Sequence, residues 1–593
     1  MKKFWIVFAI VAVLAGTGFG FLWYSVSQLD KGITVDGGVL VWEVGGGYPE
    51  EMDSSFFGQL RSSGDLTISQ VLFSLHRAAK DDRITALVMD LRGLSADWAK
   101  VEETRRAIED FKAAGKPVYA YFDGASTREY ALAVLADKVV MSPEANLMIL
   151  GVTAELDFMK ETLGKLGMEA DFIHVGKYKS APERMTRDKA SDANREMIKA
   201  IVDDRYEAIV AMLATGRGVS PSDVGGWMDR GMFDAASAMA EGLIDTTGYF
   251  DSLMDAEFGD ESQTYLADYA YAARPSGKTT HTVGLIYATG VIMPGPSRFD
   301  NFQGKIAGST TVCDELKSVG EDDGVDAVIL RIDSPGGSAM ASDLIWNQIR
   351  LVQEKKPVIV SMSGMAASGG YYIACLADSI FADPSTLTGS IGVYAGKMNR
   401  TEMYRKIGVN REFITRGESA LLFHDEGGFS PAQRTLFQGH LDSFYERFLA
   451  KVADGRNLTR DQVHAVAQGR VWTGSQGLEA GLVDELGGLR RALDSAKWML
   501  GLDPSQKVGV ATFGEDLTAL ERMLLNSLRD GGLFGQILTA LPTGGVAWSP
   551  SSGPAGVALP LLMDTLRQDG TLAAVALMDG RPVAMAPYWL HLD

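Results

Sequence analysis

Val328-Ile329-Leu330-Arg331-Ile332, followed at once by Asp333-Ser334-Pro335-Gly336-Gly337-Ser338, is the stretch whose reading decides the fold. A short, nearly continuous β-branched and apolar run suits a strand buried on both faces, near the middle of a parallel sheet. Pro335 and the two glycines end it, and a helical pattern follows from Ala341 to Gln353. Backbone N–H groups left free at such a turn suit an oxyanion. A second strand, Pro357-Val358-Ile359-Val360-Ser361-Met362, runs into Gly364-Met365-Ala366-Ala367-Ser368-Gly369-Gly370-Tyr371, and a helix-like Tyr372–Leu376 runs out. Small residues on both sides let the chain turn sharply. Ser368 would then project its hydroxyl at the mouth of the sheet, the logic of a nucleophile elbow, although G-x-S-x-G is absent. A plain strand-to-helix turn with a capping serine uses the same residues. On this first pattern alone the two readings weigh the same.

The chain repeats itself. Ile84-Thr85-Ala86-Leu87-Val88-Met89-Asp90-Leu91 returns as Val325-Asp326-Ala327-Val328-Ile329-Leu330-Arg331-Ile332, an offset of 241 (325 less 84). Lys116-Pro117-Val118 returns as Lys356-Pro357-Val358, and Gly242-Leu243-Ile244-Asp245 as Gly481-Leu482-Val483-Asp484. We place the first copy at residues 35–267, a linker at 268–281, the second copy at 282–500 and a tail at 501–593. Strands alternate with helices in each copy, which argues parallel α/β sheets with right-handed crossovers. In the tail, an amphipathic pattern covers Leu517–Leu528 and a Pro/Gly/Ser-rich run covers Pro542–Gly556.

The two copies have diverged in complementary ways. Opposite Ser368 stands Thr127 or Arg128, and opposite Gly336 and Gly337 stand Ser95 and Ala96. The first copy has therefore lost the elbow and the glycine turn. It carries instead Phe172-Ile173-His174-Val175-Gly176-Lys177-Tyr178-Lys179-Ser180, where the second copy has Phe413-Ile414-Thr415-Arg416-Gly417-Glu418-Ser419-Ala420-Leu421. Lys179 faces Ala420. No motif puts a histidine near Ser368, so a Ser368/Lys179 dyad shared between the copies is the economical arrangement. A lysine ordinarily titrates near 10.4, so accepting a proton near neutrality requires a differential of roughly 4 kcal/mol, which burial supplies. Ser390, in Thr388-Gly389-Ser390-Ile391-Gly392, could orient the amine without adding charge; its counterpart is Ile149. Taken singly, Lys179 reads as a solvated lysine and Ser390 as a turn residue. The complementary pattern is what raises them.

The totals bound the rest. Among 593 residues, 46% are hydrophobic and 22% charged, an ordinary globular balance with room for several cores. A net charge of −20 argues against nucleic acid as a partner. Cys313 and Cys375 read as free buried thiols, and the seven histidines fall in no metal-ligand spacing, so neither a metal nor a cofactor is expected. Met1-Lys2-Lys3 precedes an uncharged run, and Phe4–Tyr24 would span about 31 Å as a helix. The two lysines favour an N-in orientation. We read 4–24 as an uncleaved anchor, with cleavage after Val13-Leu14-Ala15 as the competing reading.

Ser334-Pro335-Gly336-Gly337, Gly364–Tyr371, Leu387-Thr388-Gly389-Ser390-Ile391-Gly392 and Tyr178-Lys179-Ser180-Ala181, in an anchored tandem repeat, resemble the signal peptide peptidase A family in its long bacterial form. The resemblance covers nearly the whole chain and is weakest in the tail. It implies a ClpP/crotonase-like fold and a serine endopeptidase of the bacterial inner membrane, with its bulk outside the cytoplasm, that degrades remnant signal peptides. It implies Ser368 as nucleophile, Lys179 as general base and Ser390 as the residue that holds the amine. It implies an oxyanion hole from Gly336, Gly337 and Gly369, and a homo-tetramer. Two rivals remain on the same fold. An acyl-CoA enzyme would use the glycine turn without a serine elbow. A membrane-tethered scaffold would use neither.

Overall fold

The structure, a computed structural model, describes residues 35, 37–52, 66–272, 279–300 and 303–514, with the backbone of 583–585. The expected anchor at 4–24 and the tail patterns at 517–528 and 542–556 lie outside these residues. Among the described residues no helix is long and apolar enough to cross a membrane.

Each copy builds one main sheet. In the first, six strands run in the order Thr246–Thr247, Lys138–Met141, Val118–Phe122, Ile84–Leu94, Gly38–Gly46, Gln263–Tyr265, all parallel. In the second, Ala327–Ser334 lies between Thr282–Thr289 and Val358–Ala367 and is parallel to both, the central place expected of it. Alternate residues of that strand face different partners. Val328, Leu330 and Ile332 join the second copy's own core. Ala327 and Ile329 join a core that continues into the first copy.

The reason is a stack of layers. Helices Ile68–Ala79 and Trp98–Ala113 of the first copy fill the space between the two sheets, together with Leu489–Met499 of the second. Wholly buried Arg331 reaches into this layer. Its guanidinium donates to Glu50 (2.8 Å), Glu103 (2.6 and 3.1 Å) and Ser361 (2.8 Å). The charge is tolerable there because two carboxylates and a hydroxyl take up its donors.

A third sheet ties the copies together. Its order is Arg298–Asp300, Gly304–Gly308, Val291–Met293, Gly336–Ser338, Val583–Met585, Val393–Asn399, Glu169–Val175. The last pair joins the copies: Val393–Asn399 runs antiparallel to Glu169–Val175 over seven residue pairs.

Three local readings change. The strand expected to end at Met362 continues to Ala367, because Met365–Ala367 pair with Leu387–Gly389. A helix, Leu266–Tyr271, crosses the expected boundary at Ala267. Residues 410–416, aligned above with the lysine strand, form no strand. Cys375 is buried and Cys313 half-buried, both free.

Candidate active site

Ser368 sits between the strand Val358–Ala367 and the short helix Gly369–Ala374. Its φ of 56° lies in a region that non-glycine residues seldom occupy. Two backbone bonds hold it there: Ser368 N donates to Gly389 O (2.8 Å), and Tyr372 N donates to Ser368 O (2.8 Å). The strained turn lifts the hydroxyl out of the strand and points it across the third sheet.

Lys179 arrives from the first copy. The antiparallel pairing of Glu169–Val175 with Val393–Asn399 carries the chain to the site, and the following loop is clamped by residues 468–470 of the second copy. Tyr178 N donates to Gln468 O (2.8 Å), and Ser390 N donates to Arg470 O (2.7 Å). A Cβ on Gly469 would come within 2.6 Å of the Lys179 backbone, so only glycine lets the two loops meet. This clamp was missed in the sequence. Its one local signal was Gln468-Gly469 ahead of the strand Val471–Thr473, an ordinary-looking turn.

Within one chain, and 189 positions apart, the two side chains meet. Lys179 Nζ lies 2.8 Å from Ser368 Oγ, 2.9 Å from Ser390 O and 3.1 Å from Ser390 Oγ. Both Lys179 and Ser368 are fully buried. Burial is the cause that pushes the Lys179 amine well below an ordinary lysine. A neutral amine has two N–H groups and one lone pair. The N–H groups can go to Ser390 O and Ser390 Oγ, which leaves the lone pair to accept from the Ser368 hydroxyl. Ser390 is itself held at a φ of 51°.

Gly369 packs against the glycine turn. A Cβ there would lie 2.6 Å from Ser342 Oγ and 3.0 Å from Gly337 N. The Gly336 amide donates to Ser334 Oγ (3.1 Å), whose hydroxyl donates to Gly290 O (2.6 Å). Gly336 N–H is therefore engaged within the turn, which departs from its expected part as an oxyanion donor. Ser334 was not singled out in the sequence, and a serine before Pro-Gly-Gly gives no sign that it will bind that amide.

Beside the dyad, the third sheet has a lane one strand wide between Gly336–Ser338 and Val393–Asn399. Backbone 583–585 fills it, antiparallel to both: Gly337 pairs with Ala584 and Tyr394 with Val583. Val291, Tyr394, Phe172, Ala181 and Met293 form an apolar cluster at this place.

Known proteins with related sequences fit this geometry. The model of peptidase family S49 matches residues 110–258 and 350–503, one stretch in each copy, and the Clp protease model matches 303–384. The chain is 34% identical to the chloroplastic serine protease SPPA of Arabidopsis thaliana, over 82% of this chain and 73% of that one. It is 31% identical to Protease 4 of Salmonella typhi, over 83% of this chain and 82% of that one. Protease 4 of Haemophilus influenzae is 32% identical, over 78% of each. The chain belongs to peptidase family S49 and is a serine peptidase with two tandem repeats on the ClpP-like fold.

Proposed function

We propose that the protein is a membrane-anchored endopeptidase with a Ser368/Lys179 dyad, and that it degrades remnant signal peptides in the bacterial cell envelope. The observation that carries this reading is the 2.8 Å approach of Lys179 Nζ to Ser368 Oγ in a site closed to water. The relatives named Protease 4 support peptide hydrolysis, and a relative from Enterococcus faecium carries the name signal peptide peptidase. Phe4–Tyr24 would hold the protein at the inner membrane with its bulk outside the cytoplasm, where such peptides remain after export. We read the working form as a homo-tetramer.

The steps follow from the geometry. Substrate enters the lane that 583–585 occupies and adds as a strand antiparallel to Gly336–Ser338, with its main chain satisfied by the sheet edges. The apolar cluster around Tyr394 suits leucine- and alanine-rich side chains. Ser368 Oγ attacks the scissile carbonyl carbon while its proton passes to Lys179 Nζ. The amides of Gly337 and Gly369 face the oxyanion, and Gly336 shapes their turn. The tetrahedral intermediate collapses: the C–N bond breaks and the Lys179 ammonium protonates the departing amine. Water then gives a proton to Lys179, and hydroxide attacks the acyl ester. The acid product leaves and the proton returns to Ser368.

A non-catalytic scaffold has no need of a buried amine against a serine hydroxyl. A fluorophosphonate probe separates the readings. Wild type should label, Ser368→Ala should not, and Lys179→Ala should lose most labelling. Undiminished labelling of Lys179→Ala removes the dyad.

A further inference from the structure

We infer that the joint between the two repeats inside one chain recurs between chains, so that the second repeat of one copy docks on the first repeat of the next. This deepens the homo-oligomeric part of the reading above and does not depend on the hydrolytic part.

Inside the chain, the first repeat presents two elements to the second. The helix Trp98–Ala113 lies over the second sheet, where Glu103 accepts from Arg331 and from Leu489 N. The strand Glu169–Val175 adds to Val393–Asn399. Shifting every partner by the repeat offset names two further elements and two further receivers. The helix becomes Ala339–Gln353, with Leu344 in the place of Glu103. The strand becomes residues 410–416. Arg331 becomes Asp90, Leu489 becomes Phe250, and 393–399 becomes 152–158.

All four surfaces are uncovered. Leu344 is 50% exposed and Met340, one turn before it, 58%. Ile414 is 98% exposed in a segment that joins no sheet. Residues 152–158 alternate half-buried with exposed, the habit of a strand packed on one face, yet they belong to no sheet and carry one isolated bridge, at Ala154. Asp90 lines an open hollow of about 600 Å³ with Tyr121, Asp123, Phe250 and Asp251. Glu103 and Glu50 plug the equivalent place in the second repeat. A large apolar residue on a helix, an unpaired segment, a strand-like edge and an empty hollow thus answer one another under a single operation. The contact is heterologous, so repeated copies form a ring where the rotation closes.

The register is specific. His174 pairs with Tyr394 inside the chain, so Thr415 of one copy should stand opposite Thr153 of the next. Directly opposed antiparallel residues have Cα atoms about 4.5–5.5 Å apart, within reach of a disulfide. Full-length Thr153→Cys and Thr415→Cys proteins, in detergent, are mixed and oxidised. The expected result is a cross-linked dimer from the mixture and none from either alone, with Ser368→Ala chains cross-linking equally well. Charge gives a second arm. Leu344→Glu would press a carboxylate on Asp90, Asp123 and Asp251 and should reduce the sedimenting species to monomer. Leu344→Arg should keep the assembly. A monomeric wild type, an absent cross-link in the mixture, or equal behaviour of Leu344→Glu and Leu344→Arg would each overturn the inference. Probe labelling of Ser368 in wild type is read separately, so its loss would strike only the hydrolytic reading.

Discussion

Ser390→Ala tests how the amine is held. The Ser390 hydroxyl is one of three polar neighbours of Lys179 Nζ, at 3.1 Å, and the substitution leaves the carbonyl at 2.9 Å in place. In the resting site the lost bond joins two neutral groups and contributes about 1 kcal/mol. During acylation Lys179 becomes an ammonium with three N–H groups to place, and the same bond becomes charge-assisted, about 1.5–3 kcal/mol. The difference, about 0.5–2 kcal/mol, is felt only as the proton transfers. At about 1.4 kcal/mol per decade it predicts roughly a 2- to 30-fold fall in kcat with KM little changed. The hydroxyl favours the charged amine, so its loss should also move the acid limb of the rate profile to lower pH. Ser390→Gly is the control, because the φ of 51° is relaxed by glycine but not by alanine. Rapid-mixing acylation with a leucine-rich peptide ester reads both parameters. Wild-type kcat in Ser390→Ala, or a loss confined to KM, would refute the reasoning. So would recovery in Ser390→Gly, which would assign the effect to the backbone.

Three further outcomes follow from other contacts. Lys179→Met should lower acylation by roughly 10²–10⁴-fold. In wild type, acylation should rise with pH through one ionisation below the usual lysine range, as burial dictates. Because the folded amine is lowered, the unfolded chain holds a proton the folded one lacks in the window between the two values, and stability should rise with pH there, an effect absent in Lys179→Met urea melts. Glu103→Ala leaves buried Arg331 with half its carboxylate partners and should cost about 3–5 kcal/mol in denaturant unfolding; a cost below about 1 kcal/mol would deny the joint its weight. Removing residues 583–593 empties the lane beside Gly336–Ser338 and should lower KM for peptides, whereas an unchanged KM would mean the segment does not compete with substrate.

The β-branched runs, the glycine turn and the 241-residue offset determined the sheets and their order, because periodicity and turn chemistry are local. Ser368, Lys179 and Ser390 were legible for a different reason: comparing the two copies exposed what each had kept. What lay between the copies was not legible. No local pattern says that Val393–Asn399 will pair with Glu169–Val175, that Gln468-Gly469 will close over the lysine, or that Ser334 will take the Gly336 amide, since each depends on partners far away along the chain. Burial itself was decided there. The same lysine is an ordinary cation on an isolated strand, and becomes a base only when two repeats, Glu103 on Arg331 and strand against strand, shut water out around it.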